Sequence, residues 1–250
     1  GAGSVVNGFE SIAGQINAEL VKPTLDDRIF VNAYGSLNGR TELNTHFNTT
    51  LSERWSTGLY VHADNRSQKF DRNNDSFLDM PLSKQLNIMN RWQYSNLQKG
   101  LISFLNVRFL TDEKQSGQLD FDPETDRLSN TIWGSEITTK RFEVSSKLGY
   151  VNPEIPYQRL GLQLSYSDHD QASYFGLNQY DIRHKSAYSN IVYNSIISDS
   201  RHKIKTGLNA TYDAYKETVK SIYYSRKEQS LGAFFEYSYD NLEALNLTAG

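Results

Sequence analysis

Three groups of side chains in this 250-residue chain have the types and spacing to hold an ion. Asp71, Asn73, Asp75 and Asp79 stand at positions 1, 3, 5 and 9 of a calcium-loop spacing, but Ser76 replaces the turn glycine and Leu82 the bidentate glutamate. An EF-hand is therefore not supported; a Ca2+-stapled loop is the functional reading, and a solvated polar loop the default. Asp120, Asp122, Glu124 and Asp126 alternate in a second stretch that could take a divalent cation, although an acidic loop facing water is commoner. His46 and His62, with Glu42 and Asp64 nearby, offer imidazole and carboxylate of the kind that suits copper, zinc or iron. The commoner role for such a histidine is a hydrogen bond to a neighbouring segment. For bond-breaking chemistry there is Asp168-His169-Asp170, expected at a strand end beside a loop, yet no Gly-x-Ser-x-Gly elbow and no His-Glu-x-x-His accompanies it. No catalytic residue is assigned and no enzyme is expected.

The composition narrows the class further. Lys and Arg number 26 against 29 Asp and Glu, a formal charge of −3, which gives no electrostatic case for nucleic acid. The absence of Cys excludes a disulfide framework, a thiolate metal site and a thiol nucleophile. The mean hydropathy is −0.61, and no apolar run approaches the roughly 18 residues of a spanning helix. A membrane barrel stays open, because it spreads its apolar residues over every second position.

That alternation is the dominant pattern from Arg28 onward. Ile29, Val31, Ala33 and Leu37 share one face and Phe30, Asn32, Tyr34 and Ser36 the other. Asn38-Gly39 reads as a type I′ hairpin turn, after which Leu43, Thr45, Phe47, Thr49 and Leu51 oppose Glu42, Asn44, His46, Asn48 and Thr50. Further strands are expected near 55–63, 85–95, 101–111, 136–150, 158–168, 182–197, 202–215, 222–239 and 243–250, about eleven in all. One apolar and one polar face per strand means an antiparallel sheet, since buried parallel strands are apolar on both faces. All five prolines fall between the strands, as expected of a residue that cannot donate to a ladder.

The connections are expected to alternate in length: longer ones at 64–83, 113–134, 169–180 and 216–221, shorter ones at 52–54, 96–100, 152–157, 198–201 and 240–242. Short turns at one rim and long loops at the other are a trait of outer-membrane barrels. Aromatic residues near strand ends, namely Trp55 and Tyr60, Trp92 and Tyr94, Tyr188 and Tyr193, Tyr223 and Tyr224, Tyr237 and Tyr239, would suit an interfacial girdle, or are simply good strand residues.

Residues 1–23 differ from all that follows. Gly1, Ser4, Gly8, Ala13, Gly14, Ile16, Asn17, Lys22 and Pro23 fall on a glycine-punctuated pattern leading through a short strand into Lys-Pro. In this the chain resembles the TonB-dependent receptor family, whose plug domain typically ends in Gly-Pro-x-Ser-x-x-x-Gly, then Ala/Gly-Gly-x-Ile-Asn, a strand and Lys-Lys-Pro. Ala2 stands where that pattern has Pro, and Asn7 where Tyr is common. The motif covers under a tenth of the chain but precedes the amphipathic strands in the family's order.

The resemblance implies an all-β fold: an antiparallel up-and-down transmembrane β-barrel, here about 11 of 22 strands, preceded by the last strand of a plug domain. Residues 1–23 would be the C-terminal end of the plug and 24–250 the first half of the barrel, so the chain reads as a fragment. Gly8, Gly14, Ile16 and Asn17 would be the structural plug motif, and Glu42, His46, His62 and Asp64 the lumen-facing candidates for substrate binding. The implied function is active uptake of a scarce nutrient, most often a ferric siderophore or other metal chelate. The partners would be outer-membrane lipid and, through the plug, the inner-membrane TonB complex. No resident cofactor is expected; Ca2+ in the outer loops is the alternative that the acidic spacing above leaves open. A passive porin, an adhesin barrel and a glycan importer are the alternatives, and a secreted β-sandwich a further one.

Overall fold

The computed structural model describes residues 5–7, 19–241 and 245–250. Eleven strands follow in chain order: β1 (Ile29–Gly35), β2 (Arg40–Thr50), β3 (Trp55–Arg66), β4 (Leu82–Asn96), β5 (Leu101–Gly117), β6 (Gly134–Val151), β7 (Arg159–Phe175), β8 (Asn178–Ile197), β9 (Asp199–Val219), β10 (Ile222–Asp240) and β11 (Asn246–Ala249). Each pairs antiparallel with the next in one up-and-down sheet, with β1 and β11 at its two ends and no bond between them. The plug motif residues Gly8, Gly14, Ile16 and Asn17 lie outside the described residues.

The register sorts the alternating residues onto two faces. One carries Leu105, Val107 and Phe109 of β5, Phe142, Val144 and Leu148 of β6, Leu160, Leu162 and Leu164 of β7, and Leu208, Ala210 and Tyr212 of β9. The other carries Asn106 and Arg108, Glu143 and Ser145, Ser165 and Ser167, Asn209 and Asp213 on the same strands.

Burial runs opposite to that of a water-soluble domain. On the polar face Asn48, Ser56, Arg91, Gln93, Asn190, Asn209 and Glu236 are all buried. On the apolar face Phe109, Phe142, Leu148, Leu160, Leu164, Leu208 and Phe235 are all exposed. A cavity of about 680 Å3 lies on the polar side, reached by His46, His62, Asn87, Arg108, Glu143 and Ser186 from six strands, so the sheet curves around that face. Residues of the N-terminal segment sit there as well: Asn190 donates to the Val6 carbonyl at 3.0 Å, and Leu20 lines the cavity.

Several expected boundaries shift. β7 runs on to Phe175 and β8 begins at Asn178, so the loop expected at 169–180 is a two-residue turn, Gly176-Leu177, with Gly176 at φ +57°. Likewise β9 and β10 meet through Lys220-Ser221, with Lys220 at φ +57°. The alternation of short and long connections therefore holds only for 67–81 and 118–133; elsewhere on that rim the strands themselves lengthen into two-stranded hairpins. The first hairpin is closed by the Gly39 N–H donating to the Ser36 carbonyl at 3.0 Å, and only Gly39 takes positive φ. It is thus not the type I′ turn expected of Asn38-Gly39, which needs positive φ at both residues, and Leu37 lies in that turn rather than in β1.

The aromatic pairs also divide. Trp55, Trp92, Tyr94, Tyr193, Tyr237 and Tyr239 share the apolar face at the short-turn rim, where Trp55 packs 5.0 Å from Tyr94 and 6.5 Å from Trp92. Tyr60, Tyr188 and Tyr224 point to the polar face instead. The apolar face gains Tyr150 at the same rim and Phe109, Phe142, Tyr166 and Tyr212 at the other.

Candidate functional site

Glu42, Asn44 and His46 alternate on β2 opposite Asp64, His62 and Tyr60 on β3, so all six share the polar face. Asn44 donates to Glu42 Oε1 at 2.8 Å and accepts from His62 Nδ1 at 2.6 Å. His62 lies 3.6 Å from Asp64 and 3.8 Å from Glu42. Arg40, which the sequence did not single out, pairs with Glu42 at 2.8 Å and lies 3.8 Å from Asp64.

His46 is drawn away from this cluster. Its Nε2 meets the Asp27 carbonyl at 3.0 Å, and its ring lies between Phe30 (5.3 Å) and Tyr60 (5.5 Å). Asn48 donates to the same Asp27 carbonyl at 2.8 Å and accepts from the Tyr60 hydroxyl at 2.9 Å. His46 thus ties the segment entering β1 to the sheet. Among the described residues no three His, Asp or Glu side chains converge to hold a metal ion.

Two further polar clusters on this face come from further along the sheet. Arg108 pairs with Glu143 at 3.1 Å and donates to Asn87 at 3.0 Å, while Arg141 reaches the other Glu143 oxygen at 2.6 Å. His184 contacts Asp213 at 2.7 Å and stacks on Tyr215 at 4.2 Å, with the Arg226 guanidinium 4.1 Å from that ring. No local motif marks these residues; only counting the period of two across six strands places them on one face.

Asp168-His169-Asp170 lies inside β7, not at its end, and the alternation puts the two aspartates on the face opposite His169. Asp168 is gripped by Arg183 at 3.0 Å and 3.3 Å and by Lys185 at 3.5 Å, so the three residues do not form one constellation.

The two long loops fold against one another. Leu78 and Leu119 donate to the Gly117 and Ser76 carbonyls, and Phe77 lies 6.2 Å from Trp133. In the first loop the Asp71 carboxylate accepts from the Asp75 and Ser76 amides, Asp75 from the Phe77 amide, and Asp79 from the Arg72 amide. Asn73 donates to Asp75 at 2.8 Å. In the second, Asp122 accepts from the Glu124 amide and Asp126 from the Asp122 amide, whereas Asp120 and Glu124 accept no such amide bond among the described residues. These carboxylates serve as turn-forming acceptors.

The second loop has its own small core. Phe121 and Tyr174 are each 2 % exposed, 6.4 Å apart, with the Tyr174 hydroxyl donating to Glu136 at 2.6 Å. Burial first, then the Glu136 carboxylate, pushes the Tyr174 pKa up. The folded protein therefore holds this proton more tightly than the unfolded chain. Its stabilisation is complete below the ordinary tyrosine value near 10 and declines as pH rises above it. Protease cutting within 118–133 should accelerate from pH 9 to pH 11 in the native protein. Tyr174→Phe should be cut faster at pH 9 and show a flatter pH dependence.

Comparison with protein-family models, with characterised proteins and with solved structures finds no match. The class that the fold itself defines is an open, eleven-stranded, antiparallel up-and-down sheet with a buried polar face and an exposed apolar one.

Proposed function

We propose that this chain forms part of the wall of a TonB-dependent outer-membrane receptor, a plugged β-barrel that imports a scarce nutrient as a ferric siderophore or other metal chelate. The inverted burial carries the membrane part of this reading. Between Phe142 and Tyr150, Leu160 and Tyr166, Ala187 and Tyr193, and Ile204 and Tyr212, no residue of the apolar face is charged, whereas the polar face over the same spans holds Glu143, Lys147, Lys205 and others. The seven to nine residues of each span, at about 3.3 Å per residue and tilted as in a barrel, cover on the order of 16–24 Å, against the roughly 25 Å of an outer-membrane apolar band. A sandwich would cover that face with a second sheet.

The receptor part rests on the resemblance of residues 1–23 and on the described N-terminal residues that meet the polar face, Val6 held by Asn190 and Asp27 held by His46 and Asn48. A porin needs that space as a channel. On this reading the chain supplies about half of the barrel, and the Arg108–Glu143–Arg141 and His62 clusters line the solute's path. The test is uptake by cells carrying the full-length gene. Growth on the imported chelate should stop when the inner-membrane proton gradient is collapsed or the energy-coupling protein deleted. Uptake that continues without the gradient would leave a passive pore.

A further inference from the structure

Of the five histidines, only His169 and His184 face one another across a ladder. β7 and β8 set them directly opposite on the polar face, in a row that continues with Arg141 of β6 on one side and Tyr215 of β9 on the other. Directly opposed side chains have Cβ atoms about 4.5–5.5 Å apart, and two imidazoles so placed can share an ion at about 2.0 Å from each nitrogen. The pair lies beyond Tyr166 in β7 and so outside the uncharged band. Its neighbours on the same face, Arg141, Ser167 and Ser186, line the cavity, which puts the two rings at the long-loop end of that space.

Hydrogen bonding leaves a lone pair on each ring. His169 Nδ1 is buried and has no hydrogen-bond partner among the described residues. His184 Nε2 meets Asp213 Oδ1 at 2.7 Å; a carboxylate only accepts, so the ring proton is on Nε2 and Nδ1 keeps its lone pair. A carboxylate behind an imidazole in this way is the usual outer support of a metal-bound histidine. His46 and His62 lie opposite Tyr60 and Asn44 instead, with no second imidazole across the ladder. Nor does charge oppose a cation here. Glu143 holds Arg108 and Arg141, Glu217 and Glu228 hold Arg226, and with Asp213 the surrounding carboxylates outnumber the guanidiniums four to three.

We propose that His169 and His184 bind a divalent ion of the borderline class, Cu2+, Ni2+ or Zn2+, through two imidazole nitrogens, with Asp213 as the residue that positions His184. Imidazole suits these ions, whereas Ca2+ and Mg2+ take oxygen. No third His, Asp or Glu converges on the pair among the described residues. The remaining coordination positions therefore belong to ligands that the ion brings with it. On the importer reading above, on which this role rests, the pair is a docking point for a cargo whose chelator leaves coordination positions open.

Full-length protein folded into phosphatidylcholine vesicles would be titrated with Cu2+ and followed by electron paramagnetic resonance, the signal of the pair being the difference between wild type and H169Q/H184Q. Wild type should show an additional Cu2+ coupled to two nitrogens and unaffected by excess Ca2+, and the double variant should lose it. Asp213→Asn should weaken that binding at least about tenfold with both nitrogens still coupled, which general damage to the strand would not produce. H202Q, on the apolar face, should match wild type. H169Q alone should retain one nitrogen, and it carries the test if the double variant does not fold. Identical nitrogen couplings in wild type and H169Q, or displacement of the copper by Ca2+, overturns the site. Uptake driven by the proton gradient in a protein without the two-nitrogen copper overturns the site alone. Two-nitrogen copper in a protein whose uptake survives collapse of the gradient supports the site and overturns its cargo role together with the importer reading.

Discussion

Leu208→Arg is expected to lower the unfolding free energy of the vesicle-folded protein by about 2–4 kcal/mol, the cost of a cation at the midplane on a lipid-facing strand. Leu208 sits at the centre of the uncharged stretch of β9, beside Ile191 and Ala233, and is 53 % exposed. The magnitude is what makes the experiment decisive. A half-exposed leucine on a water-facing sheet would tolerate arginine to within about 0.5 kcal/mol. Ser186→Lys, on the polar face beside the cavity, is the matched control and should change stability little. Urea titration in vesicles, followed by tryptophan fluorescence, reads both.

Phe121→Ala should be the second large effect, at about 3 kcal/mol, but confined to one region. Phe121 is 2 % exposed, lies against Tyr174 and covers the Gly134 backbone so closely that a Cβ there would meet its ring. Its packing holds the 118–133 loop to the ends of β5, β6 and β7, beyond the band. Truncation should therefore lower the local opening free energy and leave the urea midpoint of the barrel in place. Amide hydrogen exchange would show lost protection at 118–133 with β4 to β9 unchanged. Leu128→Ala, at a 38 % exposed position of the same loop, should leave exchange as it is.

What could be read from residues alone depended on whether a face had to be apolar. Where it did, the period of two located the strands: β5 begins at Leu101 and β10 at Ile222 as expected, and the antiparallel order follows. Beyond the band the pattern disappears. Asp168 to Gln171 are polar on both faces, so β7 looked finished near 168 although its ladder continues to Phe175. The same cause hid the start of β8 and the end of β9. Aromatic residues at strand ends were legible as residues but not as a belt, because neighbours such as Tyr188 and Tyr193 differ in parity and point to opposite faces.

The candidate site was legible in part. Shared parity put Glu42, His62 and Asp64 together, and they do meet. The pairing of Arg40 with both carboxylates, and the diversion of His46 to the Asp27 carbonyl, depend on contacts with segments whose placement no spacing encodes. For the acidic loops the spacing of oxygen side chains was real, but the backbone amides that those oxygens accept are invisible in a sequence.

The central claim is that the apolar face meets lipid and the polar face does not. The chain has no Cys, so single replacements along β7, Leu160→Cys through Tyr166→Cys, can each carry a fluorophore in the vesicle-folded full-length protein. Brominated lipid should quench the labels at 160, 162, 164 and 166 and spare those at 161, 163 and 165, a strict alternation. Quenching that is absent or equal at all seven positions would contradict a membrane barrel.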